Sequence, residues 1–385
     1  MKPLKVAIIA GEVSGDQLAA DLVAALKTKL HAQTGQDIEL IGVGGPGLVS
    51  CGIKPLFDYS ELSIMGISAV LAKLPKLLWR IRQTAKSIIE LEPDVLIIVD
   101  SPDFTHRVAK IVHEKNPNIP IINYVCPTVW AWKPERALKM RAYIDHILSV
   151  FPFEPEVVEK LSGPPISYIG HRLMENSAVE VNRNKQLKHE LSASKTILLL
   201  PGSRNSELNR NLETIKKSAI EYLKFQPDTT FILPTIARFE QRLSEELKSW
   251  PFDVKLVVGE ADKWVAFGRA DAALAVSGTI LLELAIARVP CISIYKIDFI
   301  FKQLTRKIDL WSAALPNWIV DYPAVPEFYN QFAQPGALAR HLYRLSNDTL
   351  QRNAMLEAFD LVHERMSVDR PPSEYGADIV IKHLK

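Results

Sequence analysis

Ten short apolar runs, each followed by a stretch of helical periodicity, constrain this chain more than any other feature of it. They are Val6–Ala10, Ile38–Val43, Val95–Val99, Ile119–Val125, Ile147–Val150, Thr196–Leu200, Thr230–Leu233, Val254–Val258, Ala272–Val276 and Cys291–Tyr295. They are short, rich in β-branched residues and nearly continuous in apolar ones, the pattern of parallel strands buried on both faces. Strands spaced by helical segments form βαβ units, and a series of these winds into an open sheet with helices on both sides. At 385 residues the chain is too long for one ordinary core. The alternation pauses between Gly170 and about Lys195, where Asn176-Ser177 and Val181-Asn182-Arg183-Asn184-Lys185 are polar and turn-prone. A linker is expected there, dividing the chain into α/β domains over residues 1–170 and 171–348. Residues 349–385 read as C-terminal helices, broken by Asp369-Arg370-Pro371-Pro372-Ser373, that pack back on the first domain or on a partner chain.

In doubly wound domains, ligands are expected beyond the C-terminal ends of the strands, here facing a cleft between the two halves. Two runs in the second half sit at such places. Leu200-Pro201-Gly202-Ser203-Arg204-Asn205-Ser206-Glu207 follows one strand, and Ser277-Gly278-Thr279 with Glu283 follows another. Small residues let the backbone approach a ligand, and a helix N-terminus offers N–H groups to phosphate. Arg204 adds a charged fork for a diphosphate, and Glu283 is placed to accept from ribose hydroxyls. The plainer reading of each run is an ordinary strand-to-helix turn. In the first half, Ala10-Gly11-Glu12-Val13-Ser14-Gly15-Asp16 leaves the first strand without the G-x-G-x-x-G pattern of a dinucleotide site. Its glycines suit a tight turn, Ser14 is placed to cap a helix, and its acidity suits sugar hydroxyls or an amine. Asp100-Ser101-Pro102-Asp103-Phe104 ends the strand Val95–Val99. A carboxylate at that tip can serve as a general base, with Asp100 preferred and Asp103 read as a helix cap. Trp130 and Trp132 suit either a pocket rim or core packing.

A net charge of +2 makes non-specific nucleic-acid binding a poor first reading. Three widely spaced cysteines, Cys51, Cys126 and Cys291, argue for a reducing compartment and against a disulfide framework. The nine histidines show no H-x-x-H or H-E-x-x-H pattern, so no protein-held metal is expected. No apolar run approaches the ~20 residues needed to span a bilayer. A cytosolic protein is expected, any membrane contact being peripheral. One segment suits such contact. Ile64, Ile67, Val70, Leu71, Leu74, Leu77, Leu78 and Ile81 recur at helical spacing, Lys73, Lys76 and Arg80 lie on a neighbouring arc, and Trp79 lies off the stripe. Pro75 implies a kink, or two helices. An ordinary buried helix with solvated lysines is the alternative.

Taken in order, Ala10–Asp16, Gly42-Val43-Gly44-Gly45-Pro46, Ser63-Ile64-Met65-Gly66-Ile67, Asp100–Phe104, Pro127-Thr128-Val129-Trp130-Ala131-Trp132, Leu200–Arg204 with Glu207, Ser277–Glu283 and Leu315-Pro316-Asn317 closely resemble the lipid-A-disaccharide synthase family. The resemblance implies a GT-B fold, two Rossmann-like domains facing a cleft. It implies an inverting, metal-independent transferase needing no cofactor. The substrates would be UDP-2,3-diacylglucosamine and 2,3-diacylglucosamine 1-phosphate (lipid X), and the products the β-1,6 disaccharide 1-phosphate and UDP, formed at the cytoplasmic face of a bacterial inner membrane. Asp100 then resembles the general base. Arg204, Glu207, Ser277, Gly278, Thr279 and Glu283 resemble the UDP site, Ser14, Gly15 and Asp16 a loop near the sugars, and Asn317 part of a neighbouring loop. Ile64, Met65, Val70, Leu71, Leu74, Leu78 and Trp79 would meet acyl chains or the bilayer. Cys126 stands where a serine is expected, and Thr105-His106 where an asparagine is usual. A homodimer exchanging C-terminal helices is a further expectation. Competing readings are another GT-B enzyme, such as a UDP-N-acetylglucosamine 2-epimerase, and a non-catalytic nucleotide-sugar-binding protein at the membrane.

Overall fold

The structure is a computed structural model describing residues 3–62, 67–296 and 310–384, with residues 67–73 by backbone alone. The chain forms two compact units, Met1–Arg172 with Val368–Lys385, and Leu173–Ser367.

Among the described residues the first unit holds a seven-stranded sheet made of β1 (Leu4–Ala10), β2 (Ile38–Val43), β3 (Lys54–Pro55), β4 (Val95–Val99), β5 (Ile121–Tyr124), β6 (His146–Ser149) and β7 (Ile166–Tyr168). Its order is β3-β2-β1-β4-β5-β6-β7, and every pairing is parallel. The continuous apolar runs have a direct cause. Val6, Ile8 and Ala10 enter one core with Leu22 and Leu26 of the helix Val13–Thr34 and with Ala377 and Val380 of the last helix, Pro372–His383. Their neighbours Ala7 and Ile9 enter a second core on the opposite face, with Ile81, Ala85 and Ile88 of the helix Ile67–Leu91 and Val108 and Val112 of the helix Pro102–Lys115. Side chains alternate across a strand, so both parities must be apolar when both faces are covered.

The second unit repeats the design with β8 (Lys195–Leu200), β9 (Thr229–Thr235), β10 (Val254–Val258), β11 (Ala272–Val276), β12 (Cys291–Tyr295) and β13 (Glu327–Tyr329), in the order β10-β9-β8-β11-β12-β13. In both sheets the chain winds outward on one side and then crosses back. β1 and β4 are therefore neighbours at one reversal, and β8 and β11 at the other. Connections leave such neighbours in opposite directions and open a crevice at their C-terminal ends.

All ten apolar runs are strands; β3, β7 and β13 are two- or three-residue edge strands with too few residues to show a period. The expected linker contains the helix Ser177–Leu187, capped by the Asn176 side chain, which accepts from the Ala178 N–H at 3.0 Å. It escaped the periodicity reading because its buried face includes Asn182, Arg183 and Gln186. Gln186 donates to the Phe267 and Ala270 carbonyls and Arg183 pairs with Asp360, while Asn182 donates to the Ala178 carbonyl and leaves its buried Oδ1 unmet. The C-terminal segment divides between the units. The helix Leu350–Met366 lies in the second and Pro372–His383 in the first. Pro75 lies inside one helix, Ile67–Leu91, and does not split it.

Candidate active site

The first crevice is built on strained backbone. Asp100 directly follows β4 at φ 51°, Ser101 comes next at 46°, and Val125, after β5, is at 73°. Left-handed φ is uncommon outside glycine, and a β-branched residue there is a true outlier. These residues adjoin a cavity of about 200 Å³ whose lining includes Asp100, His106, Asn123, Val125, Cys126 and Thr128. The buried Thr105 hydroxyl is shared between the carbonyls of Asp100, at 2.7 Å, and Ser101, at 3.1 Å. Asp100 Oδ1 accepts from the Ser101 N–H at 2.7 Å. Glycine permits the first loop to close on this turn, since a Cβ on Gly11 would stand 2.6 Å from Ser101 Oγ. His106 lies 3.1 Å from the Tyr143 hydroxyl, and burial, then the Arg136 charge, push its imidazole down to about 4. Burial pushes the Cys126 thiol up, so it is an inert filler.

The neighbouring candidates divide. Gly15 is buried, and a Cβ there would lie 3.7 Å from Asp100 Cβ, in ordinary contact. Asp16 is 3% exposed, and its carboxylate accepts from the N–H groups of Gly45 (2.7 Å), Gly47 (2.7 Å) and Leu48 (3.1 Å). It satisfies the open amides at the start of the short helix Pro46–Ser50, so its charge serves the fold. Ser14 is exposed and sits inside the helix Val13–Thr34, whose cap position is Glu12, so it is not the cap. Asp103 is not a cap either. Ser101 holds that position, and the Asp103 side chain is 82% exposed with Arg136 at 3.6 Å. Trp130 packs edge-on against Phe153, and Trp132 is 37% exposed.

In the second unit, the loops after β8 and β11 converge on a cavity of about 430 Å³. Its lining includes Gly202, Arg204, Ser277, Gly278, Thr279 and Glu283. Gly202 is at φ 104°, and a Cβ there would run into the Glu207 side chain. Glu207 reaches back to accept from the N–H groups of Ser203 (2.8 Å) and Arg204 (3.2 Å) and pairs with Arg204 Nη1 at 2.7 Å. Those two amides, expected to face phosphate, are therefore held by Glu207, which braces the loop while the Arg204 side chain stays 58% exposed. Gly278 leaves open space where a Cβ would stand. The Ser277 N–H continues the sheet by donating to the Ile294 carbonyl at 3.0 Å. Glu283 lies in the first turn of the helix Ile280–Ile286, and burial raises its pKa while the Lys263 ammonium, 2.7 Å away, opposes that rise. Lys263 lines the same cavity and went unread in the sequence. Its one signal is its place in a helix, Glu260–Phe267, that opens directly after β10.

Asn317 is 1% exposed and its amide faces inward. It donates to Ser312 Oγ (3.0 Å) and the Val325 carbonyl (3.1 Å) and accepts from the Val325 N–H at 2.7 Å, which makes it a clamp for this loop. Ile64 and Met65 lie outside the described residues, as do the side chains of Val70 and Leu71. Leu74 and Leu78 are half-buried, and Trp79 is 53% exposed with the Arg80 guanidinium 4.6 Å from its ring centroid. The expected basic arc is partly neutralised, because Arg80 forks onto Glu61 with two bonds of 2.8 Å and Lys76 lies 3.2 Å from the same carboxylate.

Two parallel Rossmann-like units, each reversing its winding at mid-sheet, define a protein of the GT-B fold class. Solved structures agree on the fold. The Acinetobacter baumannii MurG structure matches with a TM-score of 0.56 at 15% identity over 99% of this chain and 100% of that one. The glycotransferase of kitacinnamycin matches with a TM-score of 0.62 at 14% identity, covering 100% of both chains. The UDP-GlcNAc 2-epimerase from Neisseria meningitidis also matches, with a TM-score of 0.55 at 15% identity over 100% of this chain and 99% of that one. Fold alone therefore does not separate a transferase from an epimerase. Sequence does, since the lipid-A-disaccharide synthetase family model matches residues 6–373. The lipid-A-disaccharide synthase of Rhodopseudomonas palustris (strain HaA2) is 42% identical over 384 residues, 98% of this chain and 96% of that protein. That of Nitrobacter winogradskyi is 40% identical over 383 residues, 99% and 96% of the respective chains. The chain belongs to the lipid-A-disaccharide synthase family, and it is a glycosyltransferase of lipid A biosynthesis.

Proposed function

We propose that this chain joins the diacylglucosamine of UDP-2,3-diacylglucosamine to the 6-hydroxyl of lipid X. Asp100 takes the proton of that hydroxyl, the oxygen attacks the anomeric carbon from the face opposite the leaving group, and the bond to the diphosphate breaks with its electron pair leaving on UDP. One displacement from an α-linked donor gives the β product. The second unit holds UDP, with Arg204 beside the diphosphate, where a fixed cation stabilises the charge that develops on departure, and Glu283 on the ribose. The observation that carries the reading is the convergence of the β8 and β11 loops on one cavity containing both Arg204 and Glu283. In the first unit, the strained Asp100 turn and its small cavity support the choice of base over the exposed Asp103.

No helix among the described residues is long and apolar enough to cross a membrane. Diacyl substrates nonetheless bring the enzyme to a bilayer. The exposed Trp79 supports peripheral contact through the helix Ile67–Leu91 at the cytoplasmic face. A homodimer is part of the same reading, and sedimentation of the full chain tests it.

UDP release is to be measured with both substrates in detergent micelles containing EDTA. Wild type should turn over, and Asp100→Ala should lose roughly three powers of ten or more, the scale of a general base with its positioning. Full turnover in the variant would move the base elsewhere. UDP binding without turnover would favour a binding protein.

A further inference from the structure

We infer that Lys263 sets the ribose specificity of the nucleotide cavity by holding Glu283 in one position as a charged acceptor for the two ribose hydroxyls. This rests on the reading that UDP occupies that cavity. Lys263 Nζ lies 2.7 Å from Glu283 Oε2 and 2.9 Å from Glu260 Oε2, with side-chain exposures of 15% for the lysine and 20% for Glu283. Its other carboxylate partner, Glu260, is 66% exposed but is itself engaged. Glu260 Oε1 accepts from the indole N–H of Trp264 at 2.6 Å, Trp264 is 1% exposed, and the ammonium lies 4.7 Å from that ring's centroid. The half-enclosed pair of Lys263 and Glu283, with the ammonium also against Glu260 and the Trp264 ring, preorganises the Glu283 carboxylate.

Charge matters as much as position. A diol is recognised by a carboxylate that accepts two O–H donors, and a protonated carboxyl has lost part of that capacity. Burial drives Glu283 toward the neutral form, Glu260 reinforces that drive, and Lys263 opposes it. Arg204 and Glu207 line the same cavity but are paired with each other. Arg183, which bonds the Ile286 carbonyl at the far end of the Glu283 helix, is paired with Asp360. Among the described residues, Lys263 is the cation in contact with Glu283.

The test is calorimetric binding of UDP and 2′-deoxy-UDP between pH 6 and 8 to the full chain, as wild type, Lys263→Met and Lys263→Arg. Wild type should prefer UDP by about tenfold or more, as expected for a hydrogen bond to a charged group. In Lys263→Met the preference should shrink, most at the acid end of the range, while 2′-deoxy-UDP, which keeps one of the two hydroxyls, loses less than UDP and by its retained binding reports an intact fold. Lys263→Arg should restore the preference. A preference that survives in Lys263→Met at pH 6 overturns the inference. So does an equal loss of both ligands, which would place the lysine on the diphosphate. A wild type that binds neither ligand overturns the reading of the cavity itself.

Discussion

Whether a polar side chain is free or already engaged decides its role here. Asp16, Glu207 and Asn317, each in the first turn or turns of a helix, were expected near ligand, yet each engages backbone groups with its polar atoms. Asp100 accepts one local N–H, and its strained turn is held through its carbonyl, by Thr105. Removing the Thr105 hydroxyl should let that turn relax without touching substrate. Thr105→Val should lower kcat by roughly tenfold, the worth of one hydrogen bond lost to buried acceptors. KM should stay within about twofold, and Thr105→Ser should recover most of kcat. An unchanged kcat with a lowered melting temperature would leave Thr105 a purely structural residue. Asp16→Ala belongs to the structural group and should cost roughly 3 kcal/mol in chemical denaturation, because it leaves buried amides of the helix Pro46–Ser50 unmet.

The helix Ile67–Leu91 illustrates how an element's charge pattern is edited by its neighbours. Lys76 and Arg80 read as a basic face in the sequence, but both are drawn to Glu61 in the preceding one-turn segment Tyr59–Leu62. That carboxylate is held below its ordinary value chiefly by the Arg80 hydrogen bonds, so it is charged at neutral pH and subtracts from the basic arc. Glu61→Gln should strengthen binding to vesicles containing anionic lipid severalfold, in line with about 1 kcal/mol per unit charge near such a surface, and the gain should vanish in high salt. Equal binding of the two proteins in vesicle co-sedimentation would exclude this face from membrane contact. The same reasoning applies to the helix Ser177–Leu187, where Phe267 and Ala270 supply partners to the buried Gln186 and Asp360 to the buried Arg183.

For the molecule as a whole, buried titratable groups in the first unit set opposing slopes of stability with pH. Burial pushes His106, His146 and His171 down to about 4, so they fold neutral. Their contribution is complete above the ordinary histidine value of 6.5 and is lost as pH falls from there towards 4. Glu154 is 1% exposed and is pushed up by burial to about 7, despite accepting from Ser149 and the Phe151 N–H. Its folded form favours the proton, so its cost sets in as pH rises from 4.5 to about 7 and is full above that, on the order of 3 kcal/mol. Three histidines outweigh one glutamate, and the melting temperature should fall between pH 7 and 4.5. Glu154→Gln should raise the melting temperature at pH 8 and make the acid-side fall steeper. An unchanged profile in thermal melts from pH 4.5 to 8 would mean that Glu154 is ionised in the folded protein at little cost.

Strand positions, their parallel pairing and the loops where chemistry gathers were legible in the chain because they are local properties. Both residues of each alternating pair in β1 and β4 had to be apolar, and the small-residue turns followed directly. The order of its motifs also placed the chain in its family. Tertiary structure decided which groups in those loops remain available. Asp16 meets amides about 30 residues away, its contacts to Gly45 and Leu48 spanning 29 and 32 positions. Lys263 reaches Glu283 across 20 positions, from a helix on another strand. A carboxylate's freedom depends on which donors the fold brings within 3 Å of it, and no periodicity along the chain records that distance.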